Sequence, residues 1–501
     1  MGTLSDIRDI ARGVLASLGG FGGRMLARLI LMLIAGQLYG ATALGLLGQV
    51  AALTEILAAI AVLGLKRSLL DQLSAVTGGR DHTDRDAETA AAVRGTVKAA
   101  LAASLMLSAL LSLVLGLIWP LLFPEQAMPP LLYLAVPGIV FADVAGTAIR
   151  FRRIIKWEVA ARCVMEPWTF LIAAAVLYGA GFSETGLLTA YALSALAAAA
   201  GIAAGLARAY GVRSLAAARV RPAALYNSLR KSLPVGITDI GVMMFRRADI
   251  LLLSLFAGHQ ATGVYYMAQQ IVTVPHKVHQ LFEPMAAPVL AKLHHQRKRA
   301  AIGAQLAGIC RWVFTLQLAL TVPFAVFGDT LLSLFGDHFS IGMTVLALLL
   351  AAELLDGSFA LTETPLVFAR PGIPLRLVLL TLAVEFAAIS LLAPLAGAAG
   401  AAAGFLIAMA GLAACRLVMI RRCLNIRIIN GAFAVPAALA AAVGLALVAS
   451  RQLPVLERGD VSGAVILLAI VLFLGLARLL ALTPEDRHIL RRLKAPASGR
   501  P

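Results

Sequence analysis

Charge is scarce in this sequence: Asp, Glu, Lys and Arg together make up 14% of its 501 residues. Aromatic residues supply 6% and there are four cysteines. Each scarcity excludes something. With 60% hydrophobic residues and a mean hydropathy of +0.89, so little charge cannot coat soluble cores, and the chain must be solvated by lipid. Cys163, Cys310, Cys415 and Cys423 form no Cys-x-x-Cys pair, so neither a disulfide framework nor a cysteine-based zinc site is supported. The phosphate-binding pattern Gly-x4-Gly-Lys-Ser/Thr is absent, which argues against ATP hydrolysis by this chain. No small-residue cleavage site follows the first apolar stretch, so that stretch reads as a retained helix.

Acidic residues are also outnumbered, 26 against 43 Lys and Arg, for a net charge of +17. Distribution separates a nucleic-acid binder from a membrane protein here. Apolar runs recur at 15–40, 44–64, 95–119, 128–149, 163–181, 185–207, 233–257, 261–290, 305–328, 341–369, 374–394, 396–418, 431–450 and 462–482. Alternate connections hold nearly all the basic residues, among them Arg150, Arg152, Arg153, Lys156, Arg208, Arg213, Arg297, Lys298, Arg421 and Arg422. The other set of connections holds only Arg451 and Arg458. This asymmetry is the positive-inside pattern. It predicts an all-α polytopic membrane protein with about 14 transmembrane helices and both termini in the cytoplasm, with no nucleic-acid partner. Before the first run, Leu4, Ile7, Ala11, Val14 and Leu18 fall at helical spacing, the pattern of a surface amphipathic helix or of a frayed first span. The segment 341–369 turns polar in its second half, which predicts a kink or tilt.

An internal repeat is visible. Arg28, Gly40 and Gly45 recur as Arg246, Gly258 and Gly263, each offset by 218 residues. Each copy places an arginine in an apolar run and a Gly-x4-Gly turn before the next. Six spans separate the copies, so both have one orientation. The expected organisation is an N-terminal six-helix lobe (1–218), a C-terminal six-helix lobe (219–430) and an extra helix pair with a cytoplasmic tail (431–501).

The stretch 232–293 has Leu-Pro at its start (233–234) and carries Arg-x-x-Asp, a Gly-x4-Gly-x-Tyr turn and a proline near the end of the next helix. In this it resembles helices seven and eight of the polysaccharide (O-antigen type) flippases of the multidrug/oligosaccharidyl-lipid/polysaccharide exporter superfamily. Residues 29–50 are similar to the first hairpin of that family. The resemblance implies a transporter, not an enzyme, without catalytic residues or cofactors. Its cargo would be a polyprenyl-diphosphate-linked oligosaccharide, turned from the cytoplasmic to the outer leaflet of the bacterial inner membrane. It also implies a monomer, with polysaccharide-assembly proteins as possible partners.

Charges within the spans mark a candidate chamber, because Lys or Arg facing lipid at mid-bilayer costs roughly 2.5–3.5 kcal/mol. Arg24, Arg28, Arg246, Arg247 and Lys277 are the candidate substrate-binding cations, since guanidinium grips phosphate oxygens in pairs. Arg24 is also placed to snorkel toward the surface, and Arg246 with Asp249 reads equally as a packing ion pair. Glu55, Asp239, Asp249 and Glu283 are candidate ion-coupling groups or hydrogen-bonded packing residues. Span eight gathers Gln269, Thr273, His276, Lys277, His279, Gln280 and Glu283 on one half, which predicts a water-facing side. Pro275, Pro284 and Pro288 predict bends in it. His276 and His279 have the spacing of a metal pair without a third ligand, so no metal is expected. Glu353, Asp356 and Glu363 read as contacts between helices. The alternatives are a lipid II flippase or a multidrug-type exporter of the same superfamily, and, from another class, a membrane-embedded glycan polymerase or ligase. The short outer connections argue against that enzyme, and the buried cations against a scaffold.

Overall fold

The computed structural model describes residues 23–77, 87–122, 126, 128–220, 222–370, 372–452 and 459–481. The amphipathic stretch expected over 4–18 lies outside them. All regular elements are helices, with no strand among the described residues. Lipid demands this, because an α-helix satisfies its own backbone hydrogen bonds. Ten described segments are long and apolar enough to cross a membrane. The longest helical stretch, Pro222–His295, is not among them. Its polar residues lower its apolarity, and it carries most of the candidate site. The chain is an all-α, multi-pass membrane protein.

The chain divides into two compact units, Met1–Leu251 and Leu252–Pro501. In the first, α1 (23–39) ends in a π-helical turn, Ala35–Tyr39. There follow α2 (Gly40–Val62), α3 (Leu65–Val76), α4 (Ala87–Leu122), α5 (Ala135–Phe151), α6 (Ile155–Gly179) and α7 (Gly186–Tyr210). The helix α8 (222–257) contributes its residues up to Leu251. Leu65, Leu69 and Leu73 on α3 meet Val97, Val140, Val144, Ile149 and Ile202 in the core of this unit. Apolar side chains on the other faces, such as Met106 and Leu121, remain exposed, as lipid-facing residues should.

In the second unit, α9 (259–295) is followed by α10 (Arg299–Val326) and α11 (Met343–Phe359). After a 3-10 turn at Ala360–Thr362 come α12 (Glu363–Ala369), α13 (372–395) and α14 (398–424). The helices α15 (Ala434–Ser450) and α16 (Gly459–Leu480) close the described chain. They join α10 through a core that includes Leu318, Phe327, Val443 and Phe473. The predicted irregularity in 341–369 is the 3-10 turn. The bends predicted at Pro275, Pro284 and Pro288 take no form in the dihedrals: inside Pro222–His295 the non-helical residue is Gly258. Proline's fixed φ is itself helical, and the neighbouring turns carry the helix past the lost hydrogen bond.

The repeat has a backbone counterpart. Gly40 has φ 78° and ψ −179°, and Gly258 has φ 74° and ψ 179°. This combination is essentially restricted to glycine, so each copy turns from one span into the next at a residue no other side chain fits.

Candidate functional site

The first cluster lies where α2 and α3 meet α8. Leu63 and Gly64 both have positive φ, 48° and 75°, which ends α2 and starts α3 at a new angle. The turn is pressed against α8: a Cβ on Gly236 would lie 2.6 Å from the Leu63 carbonyl carbon and 3.0 Å from the Gly64 nitrogen. Small residues permit such approach of backbones in membranes. One turn along each helix, the Ser68 and Ser232 hydroxyls are 2.6 Å apart. The Gln72 amide donates to Ser232 Oγ at 3.1 Å, and Ser228 Oγ donates back to Gln72 Oε1 at 2.5 Å. On either flank Arg67 pairs with Asp239 (3.3 Å) and Arg247 with Glu55 (2.7 Å). Ser228, Ser232, Gly236, Asp239 and Arg247 occupy steps of three, four or eight residues, one stripe of α8. The contacts along it are polar or glycine on backbone.

This places the candidate residues. Arg247, Glu55 and Asp239 are in ion pairs, with Glu55 and Arg247 half-buried. Asp249 is buried and accepts a hydrogen bond from the Ile250 backbone nitrogen. Arg28 and Arg246 are exposed and Arg24 is intermediate. Arg24 and Arg246 have no ion-pair or hydrogen-bond partner among the described residues. Near α5 and α6, Arg162 pairs with Asp143 and with Glu166, and Arg150 with Glu158. Nothing in the spacing of these residues marks the pairs beyond the excess of charge after α5.

The second cluster belongs to the other unit. On α9, Lys277 Nζ donates to Gln280 Oε1 at 2.8 Å, and Gln280 Nε2 lies 3.0 Å from His276 Nε2. His276 Nδ1 lies 2.8 Å from Glu353 Oε2 on α11. Gln317 on α10 donates to Glu353 Oε1 at 3.1 Å and accepts from Ser358 at 3.0 Å. The polar half of α9 therefore turns inward, while Val274, Leu281 and Met285 are exposed. Of the half predicted to face water, His276 and His279 meet Glu353 on α11, Lys277 and Gln280 bond within α9, and of these four only His279 is buried. Glu283 is exposed. Nearby, Arg416 on α14 pairs with Asp356 (2.5 Å) and Glu363 (2.8 Å), so those two carboxylates do join helices.

Sequence reasoning missed Gly64, Arg67, Ser68, Gln72, Ser228, Ser232, Gly236 and Gln317. The spacing Ser-x3-Ser-x3-Gly at 228–236 was the available signal, a small-residue stripe of the kind that lets membrane helices touch.

No family model and no curated protein matches this sequence. Solved structures share its fold, two of them at TM-scores above 0.6. The lipid II flippase MurJ, in an inward closed conformation, aligns with a TM-score of 0.71 at 11% identity, covering 93% of this chain and 99% of that one. An inward-facing multidrug resistance MATE family transporter of the MOP superfamily aligns with a TM-score of 0.62 at 16% identity, covering 80% of this chain and 94% of that one. At these identities the likeness is one of fold.

Proposed function

We propose that this protein is a flippase of the MOP superfamily that carries a polyprenyl-diphosphate-linked oligosaccharide across the bacterial inner membrane for surface polysaccharide synthesis. The observation that carries the reading is Arg246: an exposed guanidinium on α8, a helix this reading takes as a span, with no ion-pair or hydrogen-bond partner among the described residues. Left against lipid it costs roughly 2.5–3.5 kcal/mol, so its surroundings are water or an anion. Arg24 and Arg28 are further cations of the same unit, Lys277 is the candidate cation of the other, and a diphosphate is the head group that guanidinium binds in bidentate fashion. The fold shared with MurJ and a MATE transporter supports transport over synthesis.

The topology belongs to the proposal. Dividing the long helical stretches at Gly40, Gly258 and Ala396–Gly397 gives fourteen spans, as two six-helix lobes (1–218 and 219–430) and a final pair in 431–501. Both termini face the cytoplasm, and the protein acts as a monomer without cofactor. Glu55 and Asp239 hold arginines in the resting fold, so any ion coupling through them requires those pairs to part. The second reading, transport of a peptidoglycan precursor, is favoured by the fold likeness to the lipid II flippase MurJ. Both cargoes present a diphosphate, and the sugar distinguishes them.

The test is leaflet translocation in proteoliposomes, using fluorescent polyprenyl-diphosphate sugars with wild type, Arg28→Ala and Arg246→Ala. Wild type moves the lipid and Arg246→Ala, folded, moves it at least tenfold more slowly. If both variants match wild type, the arginines are structural and the site is elsewhere. If wild type lengthens the glycan instead of moving the lipid, the protein is an enzyme and the reading falls.

A further inference from the structure

The cluster on α9 has a wiring that can be followed proton by proton. Lys277 has only donors, so the Gln280 atom it reaches at 2.8 Å is the carbonyl oxygen. The Gln280 amide nitrogen then points at His276 Nε2, 3.0 Å away, and donates to it. With Nε2 accepting, the His276 proton sits on Nδ1 and is donated to Glu353 at 2.8 Å. Gln317 donates to the other carboxylate oxygen. Gly357 leaves the room for this: a Cβ there would lie 2.6 Å from Glu353 Oε1.

His279 is not satisfied by the network. It is 8% exposed, and its Nδ1 is buried without a hydrogen-bond partner. That atom points at Glu353 Oε1 from 3.6 Å, too far for a hydrogen bond. The two imidazoles meet edge to face with centroids 4.7 Å apart. Three ligand atoms, one each from His276, His279 and Glu353, all lie within 4.8 Å of one another. A tetrahedral zinc-class ion with bonds of about 2.1 Å holds neighbouring ligands about 3.4 Å apart; His276 Nδ1 lies 2.8 Å from Glu353 Oε2 and His279 Nδ1 3.6 Å from Glu353 Oε1, so the two imidazoles flank opposite oxygens of one carboxylate near that spacing. The spacing of His276 and His279 lacked a third ligand in the sequence; α11 supplies it.

We propose that His276, His279 and Glu353 bind a divalent transition-metal ion of the zinc class, with water completing the coordination. Two imidazoles and a carboxylate are a donor set that favours such ions over calcium or magnesium. Binding has a local consequence. Coordination through His276 Nδ1 moves its proton to Nε2, which becomes a donor. The Gln280 amide then turns over to present its oxygen to His276, and the Lys277–Gln280 hydrogen bond breaks. Ion occupancy is thereby tied to the position of a cation that the proposed function assigns to the substrate, although the metal site stands without that assignment.

The experiment uses full-length protein in detergent, with any oligohistidine tag removed, titrated with Co²⁺ alone. Wild type shows the visible absorption bands of tetrahedral cobalt, saturating at one equivalent and bleached by Zn²⁺. His279→Ala and Glu353→Gln lose the bands. Lys277→Met keeps all three ligands and removes the competing claim on Gln280, so it binds Co²⁺ about 3–10-fold more tightly, in proportion to one lost hydrogen bond. Absence of the bands in wild type overturns the proposal, as does their persistence in His279→Ala. Should Glu353→Gln fail to fold, His279→Ala decides, because its Nδ1 makes no hydrogen bond that the fold would miss. The readout is spectroscopic, so it stands or falls separately from translocation.

Discussion

The two polar clusters differ in how they are built, and the difference bears on which can move. Between α2, α3 and α8 the contacts form a ladder: glycine on backbone, serine on serine, and one-to-one ion pairs, each between groups water can take over. On α9, α10 and α11 the contacts converge instead, with His276 and Gln317 both donating to the buried Glu353. Parting the ladder uncovers neutral hydroxyls and ion pairs already partly exposed, whereas parting a convergent network strands a buried charge. On these grounds the ladder is the cheaper of the two to separate.

The largest expected effect tests a second convergent contact of that unit, where α11, α12 and α14 meet. Arg416→Ala leaves Asp356 and Glu363 without their shared cation; breaking a buried pair costs about 3–5 kcal/mol, and the partial exposure of Glu363 puts the loss at the lower end. Thermal unfolding in detergent should show a drop of many degrees, and Asp356→Asn with Glu363→Gln in the same chain should recover much of it. A drop no larger than that of a surface charge variant would remove the distinction between the clusters.

Gly236→Val comes next. Its side chain meets backbone that cannot rotate aside, so overpacking of about 1–3 kcal/mol is expected. Because the ladder can open, the variant should fold yet favour the parted arrangement, read as faster labelling of an introduced Ser232→Cys. Unchanged labelling would mean that the turn at Gly64 does not seat against α8 in the membrane. The Glu55–Arg247 pair is weaker still: Glu55→Gln should cost about 1 kcal/mol or less, given its partial exposure. The exchange Glu55→Arg with Arg247→Glu should restore melting more fully than either change alone, and failure to do so would make the pair incidental.

Much of this was legible in one dimension, for reasons that also mark its limits. The all-helical, multi-pass character and the apolarity of the segments follow from composition within each segment. The turns at Gly40 and Gly258 were found because a local backbone demand leaves a local residue signature. The polar half of α9 was found by helical period alone. What that half faces was not, because Glu353 lies 77 residues from His276 and nothing in the spacing of either names the other. The ladder was half seen: Glu55, Asp239 and Arg247 stood out as charges in apolar runs, while Ser68, Ser232 and Gly236 are ordinary small residues until two helices touch.

The smallest perturbation tests the ladder most directly. Ser68→Cys with Ser232→Cys replaces two hydroxyls 2.6 Å apart by thiols, and the reduced protein should lose no more than about 1–2 kcal/mol, the worth of the hydrogen bond removed. Oxidation then joins α3 to α8 covalently. If this contact must part during transport, the oxidised protein stops translocating lipid and reductant restores it, while either single cysteine variant is unaffected by oxidant. The native cysteines at 163, 310, 415 and 423 are controlled by the same single variants. Undiminished transport in the cross-linked protein would show that the ladder is static packing. The freedom to part that its neutral hydroxyl contacts and partly exposed ion pairs imply would then go unused in the cycle.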